Sequence, residues 1–122
     1  MPDFSTAKYL SFETYRKNGT AVATPVWFAA GDDGLLYIYS EKNAGKVKRT
    51  RNNPNARIAP CDMRGKLRGD WVPATARILT DASEISRADG LLDQKYGLVR
   101  KLGGWFSKTM GRERDFIAIR LG

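Results

Sequence analysis

The sequence predicts a mainly β (α+β) fold, a small antiparallel barrel with two or three helices packed on it. Three observations predict it. Apolar and polar residues alternate with period two through most of the first two thirds of the chain. Gly- and Asn-containing turns separate those runs at intervals too short for helical crossovers. Helical spacing is confined to a basic stretch mid-chain and a longer one after it, so strands and helices do not alternate as in a doubly wound α/β fold.

Tyr9–Arg16 reads as the first strand, with Leu10, Phe12 and Thr14 on one face and Tyr9, Ser11, Glu13 and Tyr15 on the other. Lys17-Asn18-Gly19 reads as a turn, because Asn-Gly tolerates positive φ. Thr20–Ala29 is the partner strand, and Pro25 inside it predicts a bulge or a position without a ladder bond. Gly31–Gly34 is the next turn. Leu35–Ser40 is a third strand, apolar on both faces and so expected to be buried on both. These three strands are expected to form a meander.

Ala44–Asn53 has helix formers and ends before Pro54. Asn55–Cys61 is a strand, and Met63–Lys66 its turn. Gly69–Thr80 is a longer strand, with Pro73 again marking an irregularity. Asp81 or Ser83 can cap a helix whose apolar stripe is Ile85, Ala88, Leu91, Leu92 and Tyr96, with Gly97 as its stop. Leu98–Met110, with Trp105 and Phe106 between Lys101 and Lys108, fits a second short helix or a loop. Arg114–Leu121 closes the chain as a strand. About six strands result, in one expected domain over residues 1–122.

Composition narrows the chemistry. The 122 residues contain no His and one Cys, Cys61. That excludes Ser-His-Asp and Cys-His catalysis, His metal sites, an intrachain disulfide and Cys-cluster metal sites within this sequence. The acids Glu41, Asp62 and Asp70 show no paired-carboxylate spacing for hydrolysis. No stretch is long and apolar enough for a membrane helix, and the N-terminus lacks the pattern of a secretory signal. The expected location is the cytoplasm, with no membrane partner.

With 21 Lys+Arg against 13 Asp+Glu the formal net charge is +8, which points to an anionic partner. Residues 42–51 carry five cations and no acid. Three readings fit this run: a solvated helix face, a phosphate site, or a nucleic-acid patch. No aromatic residue interleaves with its cations and no nucleic-acid module is recognisable, so nucleic acid is the least supported partner. A helix start offers unpaired N–H groups and the positive end of the helix dipole, which suits phosphate. Lys46 in the first turn opposes that dipole, an oddity that a bound dianion would explain.

Several segments occur in a familiar order: Thr24-Pro25-Val26-Trp27-Phe28, Leu36-Tyr37-Ile38-Tyr39-Ser40, Gly45-Lys46-Val47-Lys48-Arg49 and Arg51-Asn52-Asn53-Pro54. Arg68-Gly69-Asp70-Trp71-Val72 and Ala74-Thr75-Ala76-Arg77 continue it. Together they resemble the split β-barrel flavin-binding superfamily typified by pyridoxamine 5′-phosphate oxidase, and within it the class that uses the deazaflavin coenzyme F-420. The resemblance spans residues 7–121. It implies a six-stranded antiparallel split β-barrel (the FMN-binding split barrel) and a homodimer with the cofactor site at the subunit interface.

The resemblance also implies that Ser40, Lys46, Lys48 and Arg49 meet the cofactor phosphate, while Ala23, Thr24, Pro25 and Val26 line the ring. The implied cofactor is F-420, with FMN as the alternative. The implied activity is hydride transfer to or from a small conjugated or carbonyl-type substrate, and it designates no catalytic side chain. A non-catalytic flavin or deazaflavin carrier or sensor is the alternative. This chain is shorter than pyridoxamine 5′-phosphate oxidase and lacks a His- or Arg-rich substrate motif near its C-terminus, which argues against that oxidation. Trp27, Tyr37, Tyr39 and Cys61 read first as packing or interface residues, with roles at a ring, a substrate carbonyl or a reactive thiol as the sharper alternatives, and Trp71 reads equally as interface or pocket lining.

Overall fold

In a computed structural model the described residues are Phe4, 7–31, 33–41, 44–109 and 114–122, the side chains of 96–109 excepted. Seven strands and two helices follow in the order β1 (Tyr9–Tyr15), β2 (Ala21–Trp27), β3 (Ala29–Ala30), β4 (Leu36–Glu41), α1 (Gly45–Asn52), β5 (Asn55–Cys61), β6 (Val72–Ile78), α2 (Ala82–Thr109) and β7 (Arg114–Leu121). All pair antiparallel in one sheet of order β2-β1-β5-β6-β7-β4-β3.

The two ends of that sheet, β2 and β3, are separated in sequence by Phe28 alone. Two peptide steps span at most about 7.6 Å. A flat sheet of seven strands cannot meet this constraint, so the sheet curls until its edges are neighbours. The expected six strands become seven because the stretch Thr20–Ala29 breaks at Phe28. The expected meander is corrected for the same reason: β2 pairs with β1, whereas β4 pairs with β3 and β7.

Alternation sorts the sheet into two faces. Leu10, Phe12, Val26, Ile38, Ile58, Val72, Ala76, Ile117 and Ile119 fill the interior with Phe28. Val47 of α1 joins them, fully buried, so the helix covers one opening of the barrel. The opposite face of β3, β4 and β7 presents Ala29, Tyr37, Phe116 and Ala118 to Ala88 and Leu92 of α2. Strand β4 is therefore buried on both faces, as its composition predicts.

Asp81 starts α2, accepting the Glu84 backbone N–H at 3.0 Å and the Ser83 hydroxyl. The helix runs on through Gly97 to Thr109, where a stop and a separate element were expected. Glycine ends a helix only where the chain turns left-handed, and here the chain continues helical. The side chains of Trp105 and Phe106 lie outside the described residues. Among the described residues no helix is long and apolar enough to cross a membrane.

Polar clamps fasten the outer surface. The Tyr37 hydroxyl donates to Asp33 at 2.6 Å, and Arg87 of α2 reaches the same carboxylate at 3.1 Å. Burial and then Asp33 push the Tyr37 phenol up to about 12. Glu13, nearly buried on β1, takes a bidentate grip from Arg57 at 2.7 and 3.0 Å and a bond from the Tyr15 hydroxyl. The Arg57 guanidinium also lies 4.8 Å from the Trp71 ring centroid.

Two outcomes follow. Val47→Ala should cost about 2 kcal/mol of unfolding free energy in urea titrations, because it empties the plug of the barrel opening. Arg57 holds the Glu13 carboxyl below its ordinary value of 4.5, with burial opposing it. The stability that Glu13 supplies is thus present above 4.5 and lost as pH falls through its lower folded value. Glu13→Gln should lower the urea midpoint at pH 7, and its gap from the parent protein should close as titrations are repeated well below pH 4.5.

Candidate functional site

Closure leaves a seam. Strand β2 is an edge strand, so alternate backbone N–H and C=O groups point away from β1 with no ladder partner. Across the seam stand the last residues of β4 and the start of α1. An open groove of about 500 Å³ lies here.

Its walls come from three sources. Tyr9 of β1 and Pro25, Val26 and Trp27 of β2 form one side. Tyr39, Ser40 and Glu41 at the end of β4 form the other, and Ala44 and Lys46 close one end. The Tyr9 and Trp27 rings lie 6.4 Å apart, tilted by 54°. The Tyr39 ring stands 6.1 Å from Phe116 and has the Arg114 guanidinium 4.8 Å from its centroid. The groove is thus aromatic along its length and cationic at the α1 end.

The α1 end is unusual for a helix start. No side chain caps it at Ala44, and no acid occupies its first turn. Its first-turn N–H groups would ordinarily attract an anion. Two cations sit there instead. Lys46 is half-buried and makes no ion pair among the described residues. Burial, and then the charge of Arg49, hold its ammonium below the ordinary lysine value, with Glu41 opposing.

Arg49 folds back beside Gly45. Its Nε donates to the Thr14 hydroxyl at 2.7 Å, and a Cβ on Gly45 would lie 2.8 Å from its Nη1. Burial and the nearby Arg16 charge lower the Arg49 guanidinium in turn. Positive charge is therefore concentrated at one point without an acid to neutralise it beyond the exposed Glu41.

Of the eight residues expected at a site, Pro25, Val26, Ser40 and Lys46 meet in the groove. Arg49 lies against the same helix start but is tied to Thr14. Lys48 is exposed on α1, and Ala23 is exposed on β2 away from the groove walls. Thr24 stands opposite Phe12 in the ladder, and its buried hydroxyl has no hydrogen-bond partner among the described residues.

Tyr9, Trp27 and Tyr39 are groove residues that the sequence pattern assigned to packing or left unassigned. A signal for the first pair existed. Counting outward from Asn18 in the Lys17–Gly19 turn places position 9 opposite position 27, and the ladder has that register. Tyr37 is absent from the groove, its hydroxyl engaged by Asp33. Cys61 is buried, and burial pushes its thiol up to about 11, so it is an inert packing residue.

No protein-family model matches the sequence, and no curated protein matches it. Solved structures do match. HutZ of Vibrio cholerae, a haem storage protein, superposes with a TM-score of 0.72 at 13% identity, over 96% of this chain and 83% of its own. A Listeria innocua protein with the provisional name pyridoxamine 5′-phosphate oxidase gives 0.62 at 16% identity, over 93% and 83%. A FAD-binding protein of Mesorhizobium loti gives 0.60 at 17%, over 93% and 78%. At these identities the likeness is one of fold.

The Arg49 anchor is testable without a ligand. Its Nε–H proton should exchange slowly with solvent in nuclear magnetic resonance spectra. Gly45→Ala should remove that protection by displacing the guanidinium, while the helix itself gains up to about 1 kcal/mol from the better helix former. An unchanged exchange rate in the variant would mean that Arg49 does not depend on the bare Gly45 backbone.

Proposed function

We propose, from the premise that the chain folds as a split β-barrel like that of pyridoxamine 5′-phosphate oxidase, that its groove holds coenzyme F-420, or FMN in its place, by the cofactor phosphate. In this reading the protein is an oxidoreductase that moves hydride to or from a small conjugated or carbonyl-type substrate.

The observation that carries the reading is the polarity of the groove. Three aromatic side chains line it, and it ends at an uncapped helix start with a half-buried lysine that makes no ion pair among the described residues and has the exposed Glu41 as its nearby acid. Withdrawing an ammonium from water without a counter-charge is unfavourable. A phosphate there reverses the sign: it accepts from Lys46, from the Ser40 hydroxyl and from the first-turn N–H groups of α1. Lys48 and Arg49 add to the positive field. The free backbone edge of β2 beside Pro25 and Val26 suits the polar rim of a fused heterocycle, and Tyr9, Trp27 and Tyr39 suit its apolar faces.

A bound flavin or deazaflavin supplies the hydride chemistry itself. The residues of this chain bind the phosphate, orient the ring and exclude water, which agrees with a sequence without His. The same absence weighs against carrying over haem from HutZ, since no histidine of this sequence is available to ligate iron. The homodimer implied by the resemblance belongs to this proposal, the second copy covering the open side of the groove. A non-catalytic carrier or sensor would use the same cradle, and turnover of reduced cofactor with any acceptor separates the two.

Titration with F-420 and with FMN, followed by tryptophan fluorescence, tests the reading, because Trp27 lies in the groove wall. Saturable quenching is expected, and Lys46→Ala should weaken it about 10- to 100-fold through loss of one charge-assisted contact. Equal affinity in Lys46→Ala would remove the phosphate from the α1 end.

A further inference from the structure

The hairpin tip between β5 and β6 is a feature of the groove's surroundings that phosphate binding leaves unused. It carries both exposed large hydrophobic residues found among the described residues, Met63 at 68% and Leu67 at 42% exposure. Arg64, Lys66 and Arg68 alternate with them.

The tip is built to be rigid. Asp62 Oδ1 accepts the backbone N–H groups of Arg64 and Lys66, each at 2.9 Å. The Asp62 N–H donates to the Lys66 carbonyl and the Gly65 N–H to the Asp62 carbonyl, both at 3.0 Å. Gly65 takes φ +89, which a side chain would resist. Leu67 bridges to Cys61, and the Arg68 N–H donates to the Pro60 carbonyl at 2.7 Å.

The tip also adjoins the groove. Cys61, at its base, pairs with Tyr9, and a Cβ on Gly65 would lie 3.8 Å from Pro25 Cδ. Tyr9 and Pro25 are both groove residues. Its cations outnumber its acids, with Arg64, Lys66 and Arg68 against Asp62 and Asp70. The Asp62 carboxylate is committed to the turn, its backbone bonds holding it below the ordinary value, and Arg68 approaches it only to 3.8 Å. Arg64 and Lys66 make no ion pair among the described residues. Asp70, exposed, is the remaining acid of the connection.

We infer that this tip recognises a carboxylate or phosphate on a partly apolar small molecule entering the groove, so that the hydride partner of the proposed oxidoreductase is an anion. Two large apolar side chains exposed on a fixed turn beside a groove mark a contact surface. A fixed turn places charge and apolar surface together at little ordering cost on binding. The phosphate end of the groove, at Lys46, would be occupied by cofactor, which leaves the tip for the second ligand. In this respect the inference rests on the cofactor reading.

The test uses naphthalene-2-carboxylate and its uncharged analogue naphthalene-2-carboxamide, titrated into the full chain with amide resonances recorded for Met63 to Arg68. The carboxylate should shift these resonances saturably and bind about tenfold tighter than the carboxamide. Arg64→Glu/Lys66→Glu, at two exposed positions, should abolish that preference and leave FMN affinity within about twofold. Equal binding of the two probes, or a preference that survives the double charge reversal, would overturn the inference. So would tip resonances that respond only to anionic phospholipid vesicles or to protein concentration. If FMN and F-420 fail to bind while the carboxylate preference holds, the cofactor reading falls and the tip's recognition stands. If a cofactor binds and the preference is absent, the tip inference alone falls.

Discussion

The single residue between β2 and β3 governs the architecture. Phe28 sends the chain from one edge of the sheet to the other, so the edges must approach within two peptide steps. Its side chain is almost fully buried in the barrel interior and meets Phe4 edge-to-face at 6.0 Å. A buried aromatic at the break supplies roughly 2 to 3 kcal/mol of burial where the ladder supplies nothing. The closure also explains why there is a groove at all. Strands β2 and β4 stand across the seam without pairing, and an unpaired strand edge beside an uncapped helix start is a polar cradle in a wall of aromatic side chains.

Helix α1 is a dependent element. Eight residues with one large buried apolar side chain and four cations would not form a helix alone. Val47 in the barrel opening and the Arg49–Thr14 hydrogen bond hold it in place. The barrel can therefore impose an arrangement that the helix dipole disfavours, with Lys46 and the Arg49 guanidinium at the positive end. Such a local conflict, sustained by packing elsewhere, is the usual mark of a binding site rather than of a stability device. Gly45 has its place in the same conflict, since its missing side chain is the space that Arg49 occupies.

Much of this was legible in the residues, and what was not has identifiable causes. The bounds of β5 and β7 follow from alternation and from Pro54, Asp62 and the chain's last apolar residues. The β1–β2 register follows from Asn18-Gly19. Of the two readings of Pro25, the bulge is absent, since the β1–β2 register runs regularly through it, and the position without a ladder bond fits an edge strand, where a missing N–H costs little; the break comes at Phe28. Nothing in the run Val26–Ala30 distinguishes a break from a continuous strand, because every residue in it is apolar. Pro73 is tolerated because pairing with β7 begins only at Ala74. The groove aromatics were hidden because Tyr39 and Trp27 look like core residues by composition, and only the three-dimensional seam exposes them.

The distribution of charge joins these strands of argument. The surplus of cations is not spread evenly over the molecule. Acids on the outer surface are drawn into structural pairs: Glu13 with Arg57, Glu84 with Arg77, and Asp33 with Arg87. These pairs fasten β1 to β5, β6 to α2, and the β3–β4 turn to α2. The cations of α1 have Glu41 beside them, and those of the β5–β6 tip have Asp62 and Asp70. Those two elements flank the seam, one touching the groove at Lys46 and the other at Pro25. Lys46 and the cations of the tip thus place positive charge at two points beside the groove.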